Sequence, residues 1–71
     1  MDIFNDINEV TKTIDGKLWR GWCYLDTIFE VEDELYSLWE AGFHARRVCL
    51  VTGWCVIVPD EELPAVKSWA S

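Results

Sequence analysis

Only one long stretch of the chain repeats its apolar residues at helical spacing. In TIFEVEDELYSLWEAG, residues 27–42, Ile28, Val31, Leu35, Leu38 and Trp39 fall on a single stripe. Thr27 followed by Glu30 matches a capping box, in which a hydroxyl accepts from an early helix N–H and a carboxylate reaches back. Glu30, Glu32, Asp33 and Glu34 crowd the first turns, where the helix dipole favours anions. Gly42 is suited to the left-handed position just past the last turn. The pattern predicts a helix over 27–42.

Elsewhere the period shortens. Asp15-Gly16 lies between two β-favouring runs and suits a type I′ hairpin turn, which predicts strands near Glu9–Ile14 and Lys17–Tyr24. Ile3, Phe4, Ile7 and Val10 also fit a short amphipathic helix capped by Asp2, so residues 1–14 carry both readings. In an unbroken second strand, Trp19 and Cys23 share one face and Leu18, Trp22 and Tyr24 the other; Gly21 marks a candidate bulge or a close packing contact. Past Gly42, Phe43–Val51 and Trp54–Val58 form two strands turning at Thr52-Gly53. Val48–Val51 and Trp54–Val58 are nearly continuously apolar, as in strands covered on both faces or at a sheet centre. A two-residue turn there pairs Leu50 with Cys55, whereas a three-residue bulged loop sets Cys49 opposite Cys55 and permits a disulfide. Pro59 ends the ladder, and Asp60 is positioned to cap a short last helix carrying Leu63, Val66 and Trp69 or Ala70 on one side, with Pro64 in its first turn.

The expected fold is therefore α+β: a small four-stranded, mainly antiparallel sheet packed by one central helix (27–42), with a short C-terminal helix, in a single compact domain over residues 1–71. Val31, Leu35, Leu38, Val48, Leu50 and Ile57 are expected to form one core, the helix stripe meeting one side of the second hairpin.

Charge narrows the function. Thirteen acidic against six basic side chains leave a net charge of −7. That balance argues against direct binding to nucleic acid, where Lys and Arg release counterions, and against anionic membranes. It suits a larger protein with a basic surface. No basic n-region or long apolar run is present, so neither a secretory signal nor a membrane span is expected, and the expected location is cytoplasmic. Cys23, Cys49 and Cys55 form no CxxC pair, and reduced thiols are the simpler reading.

Candidate chemistry is sparse. His44, the one histidine, could be recruited with Ser37 or a cysteine, but nucleophile elbow, Gly-rich phosphate loop and HExxH are all missing, and the Cys/His spacing lacks zinc-finger regularity. No catalytic residue, metal site or cofactor is assigned, and no enzyme activity is expected. The sharper candidate is a binding strip. Glu30, Glu32, Asp33, Glu34 and Glu40 on the central helix, with Asp60, Glu61 and Glu62 opening the last one, form a negative strip if the two helices lie side by side. Such a strip could occupy a basic groove built for phosphate backbone, as a DNA mimic. Tyr36, at i±4 from Glu32 and Glu40, is the candidate aromatic anchor. Arg46-Arg47 on a strand point to opposite faces, which disfavours a clamp on one anion; they are expected to pair with neighbouring acids or to flank an interface.

In size, acidity and tryptophan content the chain is similar to small phage-encoded inhibitors of host defence, including anti-CRISPR proteins. That likeness is one of genre and transfers no site; it implies a viral protein acting in the cytoplasm of a host cell. The expected function is an inhibitor or adaptor that blocks a larger, basic partner, one that handles nucleic acid in its sharpest form. The alternative is a structural or self-assembling subunit, a homo-oligomer that buries its exposed aromatics against its own copies.

Overall fold

A computed structural model describes residues 11–71; both readings of the arm before Thr11, including the start of a first strand at Glu9, lie outside the described residues. The element order is β1 (Thr11–Ile14), β2 (Lys17–Leu25), α1 (Ile28–Glu40), β3 (Arg46–Leu50), β4 (Gly53–Pro59), a 3-10 turn (Asp60–Glu62) and α2 (Leu63–Ala70). The four strands form one antiparallel sheet, ordered β1-β2-β4-β3 and curled into a half-barrel. The expected α+β architecture holds.

Local chemistry accounts for the ends of α1. Thr27 is extended and its hydroxyl accepts from the Glu30 N–H at 3.2 Å, while that hydroxyl donates to the Glu30 carboxylate at 3.1 Å. The box thus closes through the threonine side chain. At the other end Gly42 takes φ +91°, and the Gly42 and Phe43 N–H groups donate to the carbonyls of Trp39 and Leu38, both at 3.0 Å. This is a Schellman closure, which leaves Phe43 against the core beside Leu38. The first hairpin turns as its sequence predicts: Asp15 and Gly16 take φ +52° and +78°, with Ile14 opposite Lys17.

Two registers differ from expectation. The second hairpin turns at Val51-Thr52, so Leu50 faces Gly53, Cys49 faces Trp54 and Val48 faces Cys55. Neither Leu50 nor Cys49 meets Cys55. Gly53 serves as a gap rather than as a turn residue. A Cβ there would lie 2.9 Å from the Leu25 carbonyl oxygen and overlap the phenol end of Tyr24, whose hydroxyl donates to the Thr52 carbonyl. Within β2, the bulge that Gly21 suggested lies between Gly21 and Cys23 and leaves Trp22 as the extra residue, which overturns the faces of an unbroken strand. The strand changes face there. Trp19 therefore lies on the side away from α1, while Trp22 and Cys23 both pack on the α1 side.

The core is correspondingly split. On the helix side Val31, Leu35 and Leu38 meet Val56, Val58, Ala45 and Val66. On the far side Trp19, Cys55 and Ile57 are buried together, with Val48, Leu50 and Ile14 at their margin. The six residues expected as one core thus belong to two, because Val48, Leu50 and Ile57 point away from the helix. The Trp19 indole N–H is buried without an acceptor among the described residues. Asp60 caps nothing: α2 starts without a side-chain cap and is anchored by Val66 and Leu63.

Leu38→Ala should lower stability by about 2–5 kcal/mol, because Leu38 is fully buried and the sheet cannot collapse into the gap. Leu50→Ala, at the half-exposed margin of the far cluster, should cost clearly less. Urea denaturation of both variants checks this; equal losses would mean that the two residues share one core.

Candidate functional site

The outward side of α1 gathers aromatic and acidic residues. Phe29, Glu32, Asp33, Tyr36, Trp39 and Glu40 are all exposed, and at about 100° per residue they fall within an arc of about 120°. Phe29 and Tyr36 are 75% and 62% exposed, more than side chains of that size need be even in a small fold. Tyr36 meets Trp39 edge to face, with ring centroids 5.6 Å apart. The Trp39 indole N–H donates to the Ala45 carbonyl at 3.1 Å, which orients the ring at the rim of the helix. Between this rim and β3 runs a groove lined by Glu32, Leu35, Tyr36 and Trp39 on the helix side and by Ala45, Arg46 and Arg47 on the strand side.

The nine residues expected to bind a partner fall into two groups. Glu32, Asp33, Tyr36 and Glu40 share the outward side of α1. The others are engaged within the chain: Glu30 in the cap, and Glu34 accepting from the Trp22 indole N–H at 2.9 Å. Asp60 pairs with Arg20, Glu61 with Lys17, and Glu62 with His44. The opening of α2 therefore adds carboxylates that already hold basic side chains of the chain, and of the nine only those on the outward side of α1 stay free. Phe29 and Trp39 belong to the same surface and were not assigned to it from the sequence. Trp39 sits at the edge of the apolar stripe. Phe29 lies on the row 29, 33, 36, 40, which could have flagged it.

The titrating groups follow from these pairs. Burial raises Glu62, but the His44 backbone N–H at 2.8 Å and its ring at 2.7 Å outweigh it and hold the carboxyl below its ordinary value. The hydrogen bond from Lys17 to Glu61 raises the lysine. Burial pushes the Cys23 thiol up to about 12, with the Glu34 carboxylate adding to it, and burial pushes Cys55 to about 11. Both are neutral thiols at pH 7 and poor nucleophiles. Cys49 is exposed, and all three cysteines are free. Among the described residues, no three His, Cys, Asp or Glu side chains converge as metal ligands, and no helix is long and apolar enough to cross a membrane.

No protein family, characterised protein or solved structure matches the chain significantly.

Two outcomes follow from the site chemistry. A thiol reagent applied to the folded protein should label Cys49 quickly and Cys23 and Cys55 only on unfolding, as mass spectrometry would read. Glu62 binds its proton less tightly folded than unfolded, so its ionised form stabilises the fold above the ordinary carboxylate range. That contribution is lost as pH falls through the lowered folded value. The stability gap between the wild type and Glu62→Gln should thus be present at neutral pH and close in acid; a gap constant with pH would show the His44 contact to be inert.

Proposed function

We propose that the protein is a small acidic binding module that inhibits or adapts a larger protein with a basic surface, and that the outward side of α1 is the contact. The observation that carries this is the company kept by the exposed aromatics: Phe29, Tyr36 and Trp39 lie among Glu32, Asp33 and Glu40, none of which has an ion-pair partner among the described residues. Aromatic side chains supply area at low conformational cost and are the usual anchors of interfaces. Carboxylates around them steer a basic partner and reject acidic ones. In its sharpest form the partner handles nucleic acid, and the helical carboxylates stand where phosphates would lie in its groove. Inhibition in the manner of small phage-encoded proteins is one such role.

A second reading, self-assembly, draws on the same exposed rings, which could bury against copies of the chain. The two readings differ in charge. A basic partner is released by salt, whereas copies that each carry −7 are brought together by it.

Reversal of Glu32, Asp33 and Glu40 to Lys should slow association with the partner, more at low salt, and leave folding nearly unchanged. Tyr36→Ala should instead speed dissociation, because an anchor is lost. Kinetics on a partner recovered by affinity purification would separate these effects. Association indifferent to both salt and charge reversal would remove the acidic-surface mechanism; oligomers at micromolar concentration, strengthened by salt, would favour self-assembly.

A further inference from the structure

The sheet ends at β3, which among the described residues pairs with β4 alone. Its outer row of backbone donors and acceptors meets no other described strand, and the groove beside it opens toward Tyr36 and Trp39. Arg46 and Arg47 leave this edge on opposite faces of the sheet. The Arg46 guanidinium lies over the Trp19 ring at 5.5 Å, and that of Arg47 over the Trp54 ring at 5.7 Å. Three other basic side chains, Lys17, Arg20 and His44, each hold a carboxylate of the Asp60–Glu62 run. These two arginines hold aromatic faces instead, and no described carboxylate lies within ion-pair distance of either. Charges guard many sheet edges from aggregation, but a guarding charge needs no anchoring. A guanidinium laid over a ring keeps its in-plane N–H donors free and loses less freedom when a carboxylate arrives.

We propose that the β3 edge takes up an extended, acidic segment of a partner polypeptide as a fifth strand. Main-chain hydrogen bonds to the edge would supply affinity, and alternate side chains specificity. Because Arg46 and Arg47 point to opposite faces, the segment presents two consecutive carboxylates, one for each face. Apolar residues lie opposite Val48, Cys49 and Leu50, and of these the one opposite Cys49 is on the helix side; the groove beside Tyr36 and Trp39 meets the strand at Arg46 and Arg47, so the carboxylate opposite Arg47 lies at its rim. A second copy fits this edge less well. Its own β3 offers arginines and no carboxylate to the arginines it would meet, and each copy carries −7. The surface adjoins the outward side of α1 and shares Tyr36 and Trp39 with it, but its arginines select the opposite charge.

The test is a titration of the full chain with the blocked peptide Thr-Val-Phe-Val-Glu-Glu-Thr, followed by NMR shifts and amide hydrogen exchange. Antiparallel to β3, it sets its two glutamates opposite Arg47 and Arg46. Shifts confined to β3, Tyr36 and Trp39, with slowed exchange of β3 amides, are expected. The peptide carrying Lys-Lys in place of Glu-Glu should bind about tenfold more weakly, two cross-strand attractions having become repulsions. The double variant Arg46→Glu, Arg47→Glu should reverse that preference. Asp33→Lys with Glu40→Lys should leave the Glu-Glu peptide bound within about twofold, so failure of the helix-face reading would be seen separately. Absent or scattered shifts, equal binding of the two peptides, or self-association that protects the same amides without peptide would each overturn the proposal.

Discussion

Everything in this fold answers to the burial of β4. Cys55, Val56, Ile57 and Val58 are all fully enclosed, and because successive side chains alternate, the strand must be covered from both sides at once. At about 1.5–3 kcal/mol for each large apolar side chain removed from water, no other run of four residues contributes as much. Its neighbours are placed by that demand. α1 and α2 bring Val31, Leu35, Leu38 and Val66 to one side, and the curl of the sheet brings Trp19, with Val48 and Leu50 at its margin, to the other. The bulge at Trp22 belongs to the same solution. By letting β2 change face, it delivers Trp19 to the far cluster and both Trp22 and Cys23 to the helix cluster.

Satisfying β4 also sorts the charges. The chain leaves β4 at Asp60, beside Lys17 and Arg20 of β2 and near the loop that carries His44, so three carboxylates are matched by three basic side chains in one corner. These pairs are mostly exposed, and each is worth little by itself. Their larger effect is on what is left over. Unmatched acid concentrates on the outward side of α1, and unmatched guanidinium on the β3 edge, on either side of the groove at Tyr36 and Trp39. A net charge of −7 conceals this polarity: one small protein carries surfaces of opposite sign.

Much of this was legible in the sequence, wherever the physics is local. Thr27, Glu30 and Gly42 bound a helix because capping groups lie within a turn of what they cap, and Asp15-Gly16 forms its turn because left-handed backbone is a property of those two residues. The period of the apolar stripe placed Val31, Leu35 and Leu38 inside and Glu32, Tyr36 and Glu40 outside. The apolar run of β4 announced two covered faces. What it could not announce was which face meets the helix. Both sides are apolar, so Ile57 with Val48 and Val56 with Val58 were equivalent until packing chose between them.

Tertiary structure alone decided the remainder, and in each case the partner is distant along the chain. Gly53 reads as a turn glycine, yet its missing Cβ makes room for Tyr24 and the Leu25 carbonyl, which shifts the turn to Val51-Thr52 and separates Cys49 from Cys55. Asp60 reads as a helix cap, yet it is taken by Arg20, forty residues earlier. Glu61 and Glu62 read as part of a binding strip, yet Lys17 and His44 engage them within the chain. Sequence determined the elements, because their signals act over a few residues. Only the packed structure determined which charges and rings stay free, since that depends on which groups the fold brings together across the chain.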